Sequence, residues 1–234
     1  MTTVAVIQAR MTSSRIPGKV MLPLAGEPVI YRIVERLRHI PSIDRICFSV
    51  PDGDSQEELV ALAGRLAGVE LTRGPEEDIL SRFAIAARET GADTICRFWG
   101  DCPAIDPAVC QDLISAYGGD LKFATIPDKS GYPAGYEFQI IDAECLLKAD
   151  AEVENGDARH NFIVIFAAQP ERYPAYHLRH QPYLSELNLL LDTPGDYERL
   201  QQIFDVLYPI NPVFGLADII ALSHREPKFF ASER

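Results

Sequence analysis

The opening of the chain restricts the folds that it can adopt, because a continuous apolar run leads directly into a basic loop. Residues 4–7 are all apolar, which is typical of a strand buried on both faces in a parallel sheet between helices. The loop that follows contains Arg10, Arg15 and Lys19, with a Pro17-Gly18 turn. At the carboxyl end of a first α/β strand, such a loop offers N–H groups, hydroxyls and positive charges to a polyphosphate. We therefore predict a nucleotide site there.

The spacing of this loop differs from those of two common phosphate-binding motifs. A Walker A loop needs a glycine and a hydroxyl residue at the positions that Ser13 and Val20 occupy. The dinucleotide fingerprint needs three spaced glycines, and only Gly18 is present. The alternative, a basic surface loop that binds no ligand, remains open at this point.

Residues 1–120 alternate between strand-like and helix-like segments, which predicts a parallel sheet with covering helices. The predicted strands are 4–8, 45–50, 69–72 and 94–98. Three helical stripes lie between them: Val29, Ile30, Ile33, Val34 and Leu37; Leu59, Val60, Ala63 and Leu66; and Ile79, Leu80, Phe83 and Ala87. Ser55 with Glu58 predicts a capping box for the second helix.

The proline-rich region 122–184 breaks this alternation. We predict strands at 123–126, 138–141 and 176–179, and helices at 143–152 and 158–168. The whole chain, 1–234, then forms one domain, with about 122–184 as an inserted lobe that closes over the bound ligand.

A last buried strand is predicted at 187–191, followed by Asp192. Thr193 as N-cap, Pro194 at the first helical position and Asp196 at the third predict a helix start. Asp192 therefore lies at the carboxyl end of a strand, where open α/β sheets bind ligands.

Charge and cysteine content restrict the partners and the compartment. The formal net charge of −12 argues against nucleic acid or an anionic membrane as a partner, because both require a broad positive surface.

The five cysteines show no C-x-x-C pair and lie mostly in apolar segments, which predicts reduced, buried thiols. No signal-like or membrane-length apolar run is present. We expect a cytoplasmic protein.

Five ordered motifs carry a family resemblance. They are QARMTSSRIPGKVMLPLAGEPVI from residue 8, TRGPEEDILSRF (72–83), RFWGDCPAIDP (97–107), YPAGYEF (132–138) and LDTPGDYE (191–198). In this order they closely resemble the sugar-acid cytidylyltransferases, especially the spore-coat-polysaccharide branch. The enzymes that activate Kdo and neuraminic acid are more distant relatives.

The resemblance implies a Rossmann-like, mostly parallel sheet covered by helices on both faces, of the nucleotidyltransferase or glycosyltransferase-A type. It also implies a homodimer that uses CTP and a sugar-acid-like acceptor as substrates, with the lobe 122–184 closing over the acceptor and contributing to the dimer. In such enzymes an acceptor hydroxyl or phosphate attacks the α-phosphorus of CTP, and pyrophosphate leaves. Mg²⁺ is the implied cofactor.

The resemblance also assigns roles in the nucleotide site. Asp101 and Asp192 are the implied Mg²⁺ ligands, since this ion takes one or two carboxylates together with phosphate oxygens and water. By its local sequence alone, Asp101 could equally be a turn residue before a helix. The predicted catalytic residues are Arg10, Arg15, Lys19 and Asp101. The predicted nucleotide contacts are Gln8, Ala9, Arg10, Ser14, Arg15, Lys19, Arg82 and Arg97. For Arg82, a surface pair with Asp78 is an alternative. Arg97, a cation on a buried strand, needs an anionic or hydrogen-bonding partner.

The predicted acceptor contacts are Tyr136, Glu137, Gln139 and His160. Relatives commonly carry an acidic residue where this chain has Gln139, so we expect the acceptor to be selected there. An alternative for His160 is a purely structural role. Trp99 either stacks on a ligand or only fills space in the core, and this choice stays open. Two other functions also remain open: a nucleotidyltransferase with another NTP or a phosphorylated non-sugar acceptor, and a non-catalytic nucleotide-binding module.

Overall fold

Strands and helices alternate through the first half of the chain, as the sequence predicts. The computed structural model describes residues 1–184 and 186–230. The strands are β1 (Thr3–Gln8), β2 (Pro23–Leu24), β3 (Glu27–Pro28), β4 (Arg45–Pro51), β5 (Val69–Gly74), β6 (Thr94–Trp99), β7 (Phe123–Thr125), β8 (Gln139–Asp142) and β9 (Ala175–His177). The α-helices are α1 (Val29–Leu37), α2 (Glu57–Arg65), α3 (Ile79–Thr90), α4 (Pro107–Ala116), α5 (Ala143–Glu152), α6 (Gly156–His160), α7 (Ile163–Ala167), α8 (Pro194–Leu207) and α9 (Leu216–Arg225).

Seven strands form the central sheet, in the order β5-β4-β1-β6-β8-β7-β9. The four strands from β5 to β6 are parallel, whereas β8 runs antiparallel to both of its neighbours. Gln8 at the end of β1 lies in register with Trp99 at the end of β6. The loops that follow these two strands therefore meet at one edge of the sheet.

Apolar residues that alternate along the strands cover both faces of the sheet. In β1, Val4 and Val6 pack into one buried cluster together with residues of α3 and α5, whereas Ala5 and Ile7 pack into a second cluster with residues of α1 and α8. Because both faces are buried, the strand shows no polar alternation in sequence. The predicted α/β sheet with helices on both faces is confirmed.

The segment 122–184 shares the central sheet with the N-terminal half, because β7, β8 and β9 extend it beyond β6. The predicted helix at 158–168 is instead two short helices, α6 and α7, with Asn161 and Phe162 between them. A role of this segment in dimerisation stays a prediction.

The predicted strand at 187–191 is wrong. This segment makes one isolated bridge between Asn188 and Ala134, and Leu189 N–H donates to the Ala134 carbonyl over 2.8 Å. The Asn188 side chain accepts a hydrogen bond from Leu190 N–H (3.0 Å), a local contact that competes with strand pairing. Leu191 N–H nevertheless donates to the Asp101 carbonyl (2.9 Å), which fixes the position of the residue that follows.

Of the two predicted helix caps, one is confirmed and one is wrong. Thr193 and Asp196 form the reciprocal capping box of α8. The helix α2 begins instead after Gln56, whose side chain makes no capping bond. Gln56 is buried because its Oε1 accepts from Met11 N–H (2.9 Å), which ties this helix start to the loop after β1.

The five cysteines are free thiols, four of them buried, as predicted. Burial raises the pKa of Cys47 to about 12, so this thiol stays protonated. None of the described helices is long and apolar enough to cross a bilayer.

Candidate active site

A tight turn in the loop after β1 positions Lys19. Gly18 has a φ of 71°, in the left-handed region that glycine adopts without strain. Its N–H donates to the Met11 carbonyl over 2.9 Å, closing the loop on itself, and a 3₁₀ helix, Lys19–Met21, begins directly afterwards. The Lys19 side chain is thereby directed inwards, and the residue is 9% exposed.

Lys19 brings the two predicted metal ligands together. Its Nζ donates to Asp101 Oδ2 at 2.6 Å, to the Leu191 carbonyl at 2.8 Å and to Asp192 Oδ1 at 3.3 Å. An ammonium has three donors, so this set uses all of them. Arg15 Nη2 lies 2.5 Å from the other oxygen of Asp192. The site therefore consists of two carboxylates and two cations in direct contact.

Gly100 allows the two loops to approach this closely. A Cβ at Gly100 would lie 3.0 Å from the Ala9 Cβ and 3.1 Å from the Gln8 carbonyl oxygen. A larger residue would push the loop after β1 away from the loop after β6. A glycine is therefore required next to Asp101 for steric reasons.

A first cavity, of about 220 Å³, lies over this cluster. The predicted nucleotide contacts from the end of β1 and the loop after it all line this cavity, namely Gln8, Ala9, Arg10, Ser14, Arg15 and Lys19. Asp101, Asp192 and Trp99 line it as well. Arg10 pairs with Glu76 over 3.3 Å, and this arginine side chain is 42% exposed.

Arg82 is buried on α3, and the predicted alternative, a surface pair with Asp78, is wrong. Asp78 instead caps α3 by accepting from Ser81 N–H, and it pairs with Arg159 over 2.7 Å. Arg82 is 1% exposed, and its Nε and Nη1 have no hydrogen-bond partner among the described residues. Burial, and then the charge of Arg10, lower the pKa of Arg82 to about 10.

Arg97 is held in an aromatic cage behind Gln8. Its Nη2 donates to Gln8 Oε1 over 2.9 Å. Its guanidinium carbon lies 4.6 Å from the ring centre of Trp99, 4.7 Å from that of Phe162 and 5.5 Å from that of Phe83. Burial, and then the charge of Arg82, lower the pKa of Arg97 to about 9. Arg97 does not line the first cavity.

A second cavity, of about 300 Å³, is also lined by Trp99, so this residue forms a wall of both. Two of the predicted acceptor residues, Glu137 and Gln139, line the second cavity together with Arg97. Burial raises the pKa of Glu137, and its Oε2 accepts from Gly135 N–H over 2.8 Å. A volume of this size is at the lower end of small-molecule sites, suitable for one monosaccharide-sized group.

The other two predicted acceptor residues lie elsewhere. Tyr136 is fully buried on the opposite face of the sheet, in the cluster that contains Phe138 and Ile140. The His160 ring lies on the surface, with Nδ1 2.9 Å from the Glu77 carbonyl oxygen, in a groove beside α3. Its neighbour Asn161 lines the second cavity instead. We therefore retain only Glu137 and Gln139 as candidate acceptor contacts.

A protein-family model described as cytidylyltransferase matches residues 4–203. The chain belongs to the cytidylyltransferase family. It is 26% identical to the spore coat polysaccharide biosynthesis protein SpsF of Bacillus subtilis (strain 168), over 95% of this chain and 94% of that protein. This confirms the resemblance to the sugar-acid branch.

Solved structures share the fold of this cytidylyltransferase. A cytidylyltransferase from Leptospira borgpetersenii serovar Hardjo-bovis (strain JB197) is similar with a TM-score of 0.92 and 24% identity, over 100% of this chain and 98% of that one. A CMP:2-keto-3-deoxy-manno-octonic acid synthetase complexed with CTP has a TM-score of 0.63 at 17% identity, over 88% of this chain and 99% of that one.

The carboxylates of this cytidylyltransferase fit a divalent cation bound together with phosphate. Asp101 and Asp192 converge on one nitrogen, and their side chains are 20% and 24% exposed, so both face the first cavity. Among residues 1–184 and 186–230, no group of three or more His, Cys, Asp or Glu side chains forms a metal site. Two carboxylates alone suit Mg²⁺, which completes its shell with phosphate oxygens and water.

Sequence reasoning missed four polar residues of the second cavity: Thr125, Asp128, Asn161 and His177. A usable signal was present for Thr125, because a hydroxyl residue inside an apolar strand indicates a polar contact. Asn161 and His177 carry no comparable signal, since their positions depend on how the short helices and β9 pack.

Proposed function

We propose that this cytidylyltransferase transfers CMP from CTP to a sugar acid or related acceptor, with Mg²⁺ as cofactor and release of pyrophosphate, for the synthesis of a surface polysaccharide or glycan. The supporting observation is the convergence of Lys19, Asp101 and Asp192 beneath a cavity lined by the basic loop. A homodimer and a cytoplasmic location are further predictions.

The side chains of the first cavity supply charge stabilisation rather than a covalent nucleophile. When an acceptor oxygen attacks the α-phosphorus, negative charge builds up on the phosphates, and preorganised cations lower the energy of that state. Lys19 offers a fixed point charge. Arg15 is 63% exposed, so its guanidinium is free to move from Asp192 to a phosphate. Mg²⁺ held by Asp101 and Asp192 would neutralise phosphate charge further.

An acceptor bound in the second cavity would lie next to the nucleotide. Because Trp99 is a wall of both cavities, a group bound beside Glu137 and Gln139 lies close to the phosphates above Asp101. Holding two reactants side by side accounts for a large part of the rate enhancement in group-transfer reactions.

Pyrophosphate release from each of the four NTPs, in the presence of 2-keto-3-deoxy sugar acids or sugar phosphates, tests this proposal. We expect release with CTP and a sugar acid. Release with another NTP, or with a phosphorylated acceptor alone, would identify a different nucleotidyltransferase. No release from any combination would contradict the proposed reaction.

CTP with Mg²⁺ is expected to raise the melting temperature more than ATP, GTP or UTP. A ligand that binds only the folded state stabilises it by mass action, so the shift reports relative affinity. Thermal denaturation at equal nucleotide concentrations is the measurement. Equal shifts with all four nucleotides would remove cytosine selectivity from the proposal.

Gln139→Glu is expected to weaken use of the acceptor by about tenfold or more, the cost of a mispaired buried polar group, and to leave CTP binding intact. Gln139 is 5% exposed and lies opposite Arg97 across β6 and β8. A carboxylate there would pair with Arg97 and occupy it. Steady-state kinetics measure this effect, with the exposed Gln202→Glu as control. An unchanged acceptor kcat/KM, or an equal loss of CTP affinity, would show that Gln139 does not contact the acceptor.

A further inference from the structure

A polar row crosses four adjacent strands at the second cavity. Arg97 in β6 is in register with Gln139 in β8, Gln139 with Thr125 in β7, and Thr125 with His177 in β9. All four line the cavity. Residues directly opposite in neighbouring strands point to the same face and lie close together. Two positions away along three of these strands, Ile95, Ile141 and Phe123 belong to an apolar cluster on that face. The polar row is therefore the place where this face of the sheet stops packing against helices and begins to line the second cavity.

Two members of the row are buried without the partners that they need. Arg97 is 4% exposed and Gln139 is 5% exposed. Arg97 Nε and Gln139 Oε1 have no hydrogen-bond partner among the described residues. The only hydrogen bond recorded for the Arg97 guanidinium goes to neutral Gln8, and no carboxylate of the described residues pairs with it. A cation removed from water without an anion is costly, unless a ligand supplies the anion.

The surroundings of Arg97 favour an anion from the second cavity rather than from the nucleotide. Gln8 lines the first cavity and accepts a hydrogen bond from Arg97 Nη2, so its side chain lies between Arg97 and that cavity. Arg97 itself lines only the second of the two cavities. This position replaces the sequence-based expectation that Arg97 contacts the nucleotide.

The charge of the second cavity favours a monoanion. Arg97 is accompanied there by the carboxylates of Glu137 and Asp128. One guanidinium among two carboxylates leaves the cavity net negative, so the double charge of a phosphate monoester would be repelled more strongly than a single carboxylate that pairs with Arg97. Thr125 and Asn161 provide hydroxyl and amide groups for sugar hydroxyls.

We infer that Arg97 is a specificity-determining residue that binds the carboxylate of a sugar-acid acceptor, with Gln139 and Thr125 in the same strand row contacting its neighbouring polar groups. The inference rests on the proposed function for the identity of the reaction. It adds that Arg97 recognises the carboxylate of the acceptor, and that the cavity rejects two classes of acceptor, neutral sugars and sugar phosphates.

Trp99 offers a direct measurement of both cavities, because it is the only tryptophan of the chain and lines each of them. Fluorescence titrations would use a panel of 2-keto-3-deoxy sugar acids, their methyl esters, sugar phosphates and, separately, CTP with Mg²⁺. Arg97→Met removes the cation and leaves an apolar side chain in the aromatic cage. Thr125→Val is nearly isosteric and removes one hydroxyl. Arg65→Met, at an exposed position on α2, is the matched control.

In the unmodified protein we expect a sugar acid to bind at least about tenfold more tightly than its methyl ester, the scale of one hydrogen bond to a charged group. Arg97→Met should abolish this preference and leave the response to CTP unchanged. The same variant, without ligand, should melt no lower than the unmodified protein, because it removes a buried charge that has no counterion. Thr125→Val should weaken acid binding but keep the preference for acid over ester.

Equal binding of acid and ester, tighter binding of sugar phosphates, or a loss of CTP binding equal to the loss of acid binding in Arg97→Met would each overturn the inference. These titrations need no turnover. A failure of the proposed reaction would appear separately, as absence of pyrophosphate release from an enzyme that still distinguishes acid from ester.

Discussion

Asp101→Asn and Asp192→Asn are each expected to lower kcat by roughly a hundredfold or more, since each change removes charge that stabilises the transition state. Both side chains contact Lys19 Nζ in the first cavity, at 2.6 Å and 3.3 Å. An asparagine keeps the shape and can still accept from Lys19 through its amide oxygen, so the fold should survive. Kinetics across a Mg²⁺ titration, together with melting temperatures, measure both effects.

The two aspartates should also act as one unit. If both hold the same ion, the double variant should lose little more activity than either single variant, because groups that act together are not additive. Asp205→Asn, at an exposed position of α8, is the matched control. Near-normal activity of either single variant at saturating Mg²⁺ would show that its aspartate is not a ligand.

The fold was predictable where the apolar pattern left no alternative. The run 4–7 is buried on both faces, and this is the reason it shows no alternation. The segment 187–191 has a similar pattern, since Leu187, Leu189 and Leu191 are all buried, yet it pairs with a loop. Composition reports burial, whereas pairing depends on which backbone lies alongside. Which backbone lies alongside is determined by the tertiary structure and cannot be inferred from the local sequence.

The first cavity was predictable because most of its lining residues are close in sequence and follow one strand. The second cavity was only partly predictable. Glu137 and Gln139 are two positions apart and line one cavity, whereas Tyr136 belongs with Phe138 and Ile140 on the opposite face. The period of two along a strand separates these sets. His160 illustrates a different limit, since a helix break between His160 and Phe162 directs Asn161, and not His160, to the cavity.

Lys19→Met should combine a large loss of activity with an increased response to metal. Removing a preorganised charge at the phosphates is expected to lower kcat by roughly a hundred- to a thousandfold. Lys19 lies between Asp101 and Asp192 and contacts the carboxylate oxygens that a divalent cation would bind. Without it, the two carboxylates repel each other, so the variant should melt at a lower temperature in the absence of metal.

Mg²⁺ should therefore stabilise Lys19→Met more than it stabilises the unmodified protein, because the ion no longer competes with an ammonium for the same oxygens. Melting temperatures across a Mg²⁺ titration without nucleotide measure this directly. Lys148→Met, which removes an exposed lysine paired with Glu144 on α5, should show the ordinary Mg²⁺ response. An identical Mg²⁺ response in Lys19→Met and the unmodified protein would mean that Asp101 and Asp192 do not bind the ion in the absence of nucleotide. Combined with full activity of the asparagine variants, it would leave Lys19 as a phosphate contact held by two carboxylates whose role is only to position it.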